Sequence, residues 1–137
     1  MEGVMTENYG AGDTALRLRP VLYVAGPYTS PDPVVNAHAA CRVGTALFEH
    51  TEWVPMVPHT TLLWHIVTPR PVEFWYQLDL ALMERCDAIV RLPGASVGAD
   101  NELRVARELK LKEVFFDDLP AVVQAPWLSR FDSEPSL

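Results

Sequence analysis

The sequence predicts one α/β domain built on a parallel sheet, and three observations lead to this prediction. Short apolar runs rich in β-forming residues alternate along the chain with longer segments of helical periodicity. This alternation is typical of parallel strands joined by right-handed helical crossovers. The chain has 137 residues, enough for one domain with a substantial core but too few for two. Its composition, 49% hydrophobic and 21% charged, is ordinary for a globular protein.

The apolar runs and the helical segments give the predicted order of elements. Strands are predicted at residues 20–25, 53–57, 87–92 and 113–116. Helices are predicted at residues 32–50, 72–85, 99–110 and 119–127, and the proline-containing segment 58–71 is predicted as a loop. Four or five parallel strands in a chain of this length indicate a flavodoxin-like or Rossmann-like three-layer fold. The domain is expected to span residues 18–128, between a flexible leader (1–17) and a flexible tail (129–137).

The net charge and the cysteine content of the chain indicate which classes of partner, and which compartment, are to be expected. A formal net charge of −7 disfavours binding to a nucleic acid polymer, although a local pocket can still accept a small nucleotide. The sequence has no apolar run of the ~20 residues that a membrane helix needs, and no signal-peptide pattern, so we expect a cytoplasmic protein without membrane partners. Cys41 and Cys86 suggest no disulfide framework, and both are predicted to be reduced core residues.

Two carboxylates interrupt apolar helix faces. In the helix predicted at residues 99–110, Glu102 falls inside the arc formed by Ala99, Leu103, Ala106 and Leu109. In the helix predicted at residues 72–85, Asp79 lies near the middle of the apolar face. Burying a carboxylate costs several kcal/mol unless it is paired or hydrogen-bonded. Each acid is therefore either satisfied by a neighbouring donor or retained for chemistry.

The segment 93–99 joins a predicted strand to a predicted helix and contains two glycines. Glycine lets backbone amides approach a ligand, and a helix start adds a partial positive charge suited to phosphate or sugar hydroxyls. The same environment is expected to keep Glu102, placed in the first turn, ionised and nucleophilic. An ordinary turn with a helix cap is the alternative. A carboxylate and a neighbouring proton donor are the two groups that cleavage of a glycosidic bond requires.

Several short segments resemble the nucleoside 2-deoxyribosyltransferase superfamily, especially its small bacterial and phage branch. They are YVAGPY at 23–28, Asp79-Leu, CDAIV at 86–90 and SVGADNE at 96–102. The Ser-x-Gly-x-x-x-Glu pattern is the most specific of these, and the resemblance covers about residues 21–116. The superfamily also includes deoxynucleotide N-hydrolases. The resemblance therefore implies cleavage or transfer at the N-glycosidic bond of a nucleoside or its 5′-monophosphate.

The resemblance also assigns residues, position by position. It implies that Glu102 is the nucleophile, that Asp79 orients the substrate or assists departure of the base, and that Tyr23 positions the nucleophile. The implied substrate-binding residues are Gly26, Pro27, Tyr28, His59, Ser96, Gly98 and Ala99. It implies a homodimer or higher homo-oligomer, a small-molecule substrate and no cofactor. No metal site is expected, because His38 and His65 have no ligand spacing with His59.

Departures from the family pattern keep alternatives open. The loop after the first strand lacks an Arg or Lys for a 5′-phosphate, and only Arg70 in the next loop is a candidate cation. The segment after Phe116 does not match the family's C-terminal substrate contacts. Nucleoside versus nucleotide, and hydrolysis versus transfer, are therefore undecided. The competing functions are a cytokinin-type phosphoribohydrolase, a non-catalytic nucleotide-binding or sensing module, and an interaction protein that uses a surface around Trp64, Trp75 and Tyr76.

Overall fold

The sheet of the computed structural model, which describes residues 19–132, has four parallel strands. They are β1 (Val21–Ala25), β2 (Val54–Met56), β3 (Ala88–Arg91) and β4 (Lys112–Val114). Their spatial order is β2-β1-β3-β4, as in the first four strands of a flavodoxin-like sheet. The predicted α/β fold with a parallel sheet is therefore confirmed. The whole of the predicted leader (1–17) and the tail beyond residue 132 lie outside the described residues.

Five α-helices connect or flank the strands in this part of the chain: α1 (Pro33–His50), α2 (Thr61–Val67), α3 (Val72–Met83), α4 (Val97–Glu108) and α5 (Ala121–Leu128). Short 3-10 turns span Pro58–Thr60 and Phe116–Asp118. None of these helices is both long and apolar enough to cross a membrane.

The prediction of a loop at residues 58–71 was wrong, because this segment contains a 3-10 turn and helix α2. Its three prolines do not interrupt the helix. Pro58 opens the 3-10 turn, while Pro69 and Pro71 follow the end of α2. Proline is tolerated at the first position of a helix and beyond its end, since no helical hydrogen bond needs its missing N–H there.

Helix α4 begins earlier than predicted. The Ser96 hydroxyl accepts a hydrogen bond from the amide of Ala99 at 3.0 Å, which caps a helix starting at Val97. Glu102 is therefore in the second turn, and its expected position in the first turn was wrong. Leu109, which was predicted on the apolar arc, follows the last helical residue and is exposed.

Alternation along β1 divides the core between the two faces of the sheet. Leu22 and Val24 pack with residues of α1 and α5, whereas Tyr23 and Ala25 pack with residues of α3 and α4. In the parallel register, Tyr23 lies between Met56 of β2 and Ile89 of β3. A side chain from α4 that reaches the middle of the sheet therefore meets Tyr23.

Two burial predictions need correction. Cys86 is buried as expected, but Cys41 is exposed because it lies on the outer side of α1. Helix α3 buries only Met83 completely, and Val72, predicted on its apolar face, is 83% exposed. No residue of α2 is fully buried. These two helices therefore contribute less to the core than their apolar composition predicts.

Candidate active site

The centre of the site is a buried pair formed by Tyr23 and Glu102. The Tyr23 hydroxyl donates a hydrogen bond to Glu102 Oε2 at 2.9 Å. Tyr23 is fully buried in the central strand β1, and only 9% of the Glu102 surface is exposed. The apolar periodicity of α4 puts this carboxylate on the helix face that packs on the sheet, so it enters the core beside the phenol. The structure thus brings together two of the three predicted catalytic residues.

The protonation of this pair departs from the expectation of a permanently ionised Glu102. Burial raises the pKa of Glu102 to about 7, although the hydrogen bond from Tyr23 and the positive charge of Arg91 both lower it. Since Glu102 is in the second turn of α4, it is also removed from the free amides of the helix start. Burial raises the pKa of Tyr23 well above its ordinary value, so the phenol stays neutral and remains a donor.

Asp79 in α3 is the second acid of the site. Its Oδ1 atom is buried and has no hydrogen-bond partner within residues 19–132. Burial, followed by the negative charge of Glu102, raises the pKa of Asp79 to about 8. At neutral pH this side chain is therefore largely protonated and able to donate a hydrogen bond or a proton. A buried carboxyl oxygen without a hydrogen-bond partner is unusual in a folded protein and marks a functional candidate.

The loop after β3 is held by Arg91, the last residue of that strand. Arg91 Nη2 donates to the carbonyl oxygen of Gly94 at 2.9 Å and pairs with Asp100 at the same distance. The guanidinium also lowers the pKa of Glu102. Arg91 was not predicted from the sequence, although its position at the carboxyl end of a parallel strand was a usable signal.

Three predicted binding residues lie in this loop and at the start of α4. The Ser96 hydroxyl accepts from the Ala99 amide, so both groups already take part in the helix cap. The hydroxyl hydrogen of Ser96 is still available to a ligand. A Cβ atom at Gly98 would have Ser96 Oγ at 4.0 Å as its nearest neighbour, so the backbone there stays accessible. By contrast, Gly26 is explained by packing, because a Cβ there would lie 2.9 Å from Leu92 Cβ.

His59 connects the loop after β2 to the loop after β1. The ring is 4% exposed, and its Nε2 atom lies 2.9 Å from the carbonyl oxygen of Pro27, to which it donates. Burial lowers the pKa of His59, so the ring is neutral and its buried Nδ1 atom is an acceptor without a partner in the described chain. The Tyr28 ring lies 6.0 Å from the His59 ring. Burial and then the charge of Asp79 raise the pKa of Tyr28, which places its phenol in the field of the second acid.

Asn36 and Arg130 are two further residues near the site that were not predicted from the sequence. Asn36 is fully buried in α1, and its side-chain amide donates to the carbonyl oxygens of Tyr28 and Ser30, each at 3.0 Å. Its Oδ1 atom accepts a hydrogen bond from Arg130 at 3.1 Å. A polar residue on the buried face of α1 was the available signal for Asn36. Arg130 belongs to the predicted tail, where no signal marked it.

The candidate cation Arg70 is exposed, and its guanidinium stacks 4.3 Å from the Phe74 ring centre. Within the described chain, no group of three or more His, Cys, Asp and Glu side chains is placed to hold a metal ion. Two surface grooves of about 400 and 390 Å³ lie elsewhere, one beside α1 and β2 and the other beside β4. Glu102 and Asp79 line neither groove, so side-chain chemistry, and not cavity size, marks the candidate site.

Comparison with protein-family models and with curated proteins finds no match to this chain. The fold and the geometry of the site therefore carry the functional argument.

Replacing Tyr23 by phenylalanine removes the hydroxyl group that donates to Glu102 and leaves the rest of the side chain unchanged. We expect the pKa of Glu102 to rise above about 7, because that hydrogen bond favours the ionised form. Titration of side-chain-labelled glutamate by ¹³C NMR measures this shift directly. Tyr76→Phe, on α3, is the matched control and is expected to leave the Glu102 titration unchanged. A Glu102 pKa that stays the same in Tyr23→Phe contradicts the coupling.

Proposed function

We propose that the protein cleaves the N-glycosidic bond of a nucleoside or its 5′-monophosphate, with Glu102 as the nucleophile. The observation that carries this proposal is the buried Tyr23–Glu102 hydrogen bond next to a second, protonated carboxyl at Asp79. Two neighbouring carboxyl groups, one acting as a carboxylate and the other as a proton donor, are the side chains that glycoside cleavage commonly uses. The resemblance of SVGADNE and YVAGPY to the nucleoside 2-deoxyribosyltransferase superfamily supports the same reaction.

In the first step, the ionised Glu102 carboxylate attacks the anomeric carbon of the sugar. The bond between that carbon and the base nitrogen breaks, and its electron pair leaves with the base. Asp79 supplies the proton that the departing base needs. Tyr23 keeps one Glu102 oxygen hydrogen-bonded, which directs the other toward the sugar. The carboxylate also stabilises the positive charge that develops on the sugar in the transition state.

In the second step, water attacks the same carbon of the glycosyl-Glu102 ester. Asp79, now ionised, takes the proton from the water, and Glu102 leaves as a carboxylate. The free sugar departs and both acids return to their starting protonation. A second base in place of water gives transfer by the same steps in reverse. The reaction requires acids, water and a sugar-linked base, and no cofactor.

The experiment is incubation of the wild-type protein with a panel of ribo- and deoxyribonucleosides and their 5′-monophosphates, followed by chromatography. Release of free base from one class of substrate supports the proposal and identifies sugar and base. Adding a second base then separates transfer, which forms a new nucleoside, from hydrolysis. Binding without release of base would instead favour a non-catalytic nucleotide-binding module. For such a metabolic enzyme, the cytoplasm is the proposed site of action.

We also propose that the protein forms a homodimer through the outer side of α2 and α3. This α2–α3 surface includes the exposed apolar side chains of Leu63, Ile66, Val67 and Val72. Trp75 of α3 holds α2 in place beside it. Its Nε1 atom donates to His65 at 2.8 Å, and its ring packs edge to face on the ring of Trp64. A rigid exposed apolar surface is typical of a protein–protein contact. Helix α3 also carries Asp79, so this contact would be formed by a helix of the candidate site.

A charge in the α2–α3 surface is expected to prevent association. Ile66→Glu should turn a dimer into a monomer in sedimentation velocity, because the new carboxylate would be desolvated at the contact. Val122→Glu, an exposed apolar position on α5, is the matched control and should keep the wild-type mass. A wild-type protein that stays monomeric at a concentration of tens of micromolar would contradict the proposed dimer. It would not bear on the cleavage proposal, which the substrate panel tests.

A further inference from the structure

Arg130 is fixed at the carboxyl end of the sheet by neutral groups. Its guanidinium carbon lies 3.8 Å from the centre of the Trp127 ring. Its Nε atom donates to Asn36 Oδ1 at 3.1 Å and its Nη1 atom to the carbonyl oxygen of Trp127 at 2.9 Å. These contacts orient the guanidinium plane, and neutral acceptors do not cancel its charge.

The remaining nitrogen of the guanidinium, Nη2, faces the loop after β3. A Cβ atom at Gly94 would lie 3.3 Å from Arg130 Nη2 and 2.9 Å from Pro27, so glycine keeps this approach open. Gly94 also has a φ of 124°, which side chains disfavour. Trp127 Nε1 donates to the carbonyl oxygen of Pro93 at 2.8 Å and so ties α5 to the same loop. Arg130 therefore lies beside the loops that follow two neighbouring strands, β1 and β3.

Within the described residues 19–132, Arg130 is a cation of this edge without a carboxylate partner. Among residues 19–132, no carboxylate lies within 4.0 Å of its guanidinium, whereas Arg91 on the same loop is paired with Asp100. Partial burial lowers the pKa of Arg130, since desolvation disfavours its charge. In a chain with a net charge of −7, a guanidinium that is held in place and has no carboxylate partner in the described part of the chain is suited to bind an anion. Its planar fork matches the oxygens of a phosphate monoester.

We propose that Arg130 binds the 5′-phosphate of the substrate and makes the protein selective for nucleoside 5′-monophosphates over nucleosides. This inference rests on the cleavage function proposed above. Ligands of parallel α/β sheets lie across the carboxyl ends of the strands. There, Glu102 reaches the sheet from the α3 and α4 side, while Arg130 lies on the α1 and α5 side. A nucleotide lying across β1 and β3 meets Glu102 with its sugar and Arg130 with its phosphate.

A purely structural role for Arg130 makes a different prediction. If the guanidinium served only to clamp Trp127 and Asn36, its loss would impair nucleoside and nucleotide cleavage equally. Phosphate recognition instead predicts that only cleavage of the 5′-monophosphate is impaired and that cleavage of the nucleoside is not. The ratio of the two specificity constants therefore separates the roles, even where a variant is less stable than the wild type.

The test compares kcat/KM for each deoxynucleoside and its 5′-monophosphate in wild type, Arg130→Met and Arg130→Lys. Arg130→Met is expected to lower kcat/KM for the monophosphate about 10- to 100-fold and to leave the nucleoside within about 3-fold. Arg130→Lys keeps the positive charge but lacks the planar guanidinium. Its kcat/KM for the monophosphate should therefore lie between those of the wild type and Arg130→Met. Arg104→Met, which removes an exposed arginine of α4, is the matched control and should change neither value. Equal losses on both substrates, or no loss, overturn the inference.

A binding measurement keeps this test separate from that of the cleavage function. Titration calorimetry with deoxyribose 5-phosphate and with deoxyribose reports phosphate recognition without any base release. We expect wild type to prefer the phosphorylated sugar and Arg130→Met to lose that preference by 10-fold or more. The same affinity for deoxyribose 5-phosphate in both proteins overturns the inference. Absence of base release from every substrate refutes the cleavage function, and this titration still decides the role of Arg130.

Discussion

Glu102→Gln is expected to lower the rate of base release by on the order of 10⁴-fold, because the amide cannot attack the anomeric carbon. The substitution keeps the size of the side chain and its hydrogen-bond acceptor for Tyr23. It also removes a buried acid whose pKa burial raises to about 7, so the variant should fold at least as stably as the wild type. A loss of activity would then report chemistry, and unfolding would not explain it.

The measurement is single-turnover base release by the wild type and the variant, with thermal melts of both. Glu108→Gln is the matched control, since Glu108 is an exposed carboxylate on the same helix that pairs with Arg104. Acid quench of the wild type during turnover should trap a peptide containing Glu102 whose mass is increased by one sugar. Activity of Glu102→Gln within 10-fold of wild type would exclude Glu102 as the nucleophile.

The fold could be predicted from the sequence because its signals are local. Each strand is a short apolar run, and each crossover helix has an apolar face of helical period. Helix α2 was missed because prolines flank it closely, and proline content outweighed its seven helical residues. The start of α4 was placed too late because Gly98 was assigned to the glycine-containing loop after the third strand, whereas Ser96 caps a helix that begins at Val97.

From the residue pattern alone, the site could be predicted where it breaks a local pattern, whereas Tyr23 and His59 were indicated by the family resemblance. Glu102 and Asp79 were found because each is a charge on an apolar helix face. Asn36 offered the same kind of local signal, a polar residue on the buried face of α1, and was nevertheless missed. Arg130 was missed because its contact with Asn36 joins residues 94 positions apart, which no sequence window reveals. The protonation states of Glu102 and Asp79 could not be predicted from the sequence either. They depend on how deeply the sheet and helices bury the two acids, and burial raised the pKa of Glu102 where the helix start alone would have lowered it.

Base release is expected to have a bell-shaped dependence on pH. The nucleophile works when ionised, so activity should rise as pH increases through about 7, the pKa of Glu102. The acid works when protonated, so activity should fall as pH increases through about 8, the pKa of Asp79. Asp79→Asn should lower the rate about 10²- to 10³-fold and remove the alkaline limb, because an amide has no proton to lose in this range. An unchanged alkaline limb in Asp79→Asn would assign that limb to another group.

The same titration predicts how stability changes with pH. The folded state holds the Asp79 proton up to about pH 8, whereas an unfolded aspartate loses it near pH 4. Between these values the folded state binds more protons than the unfolded state, so stability falls as pH rises, by up to ~1.4 kcal/mol per pH unit for this group. Asp79→Asn removes this contribution. Its melting temperature minus that of the wild type should therefore grow from pH 5 to pH 8 and level off above it. A difference that does not vary with pH would mean that Asp79 is ionised in the folded protein and cannot be the acid.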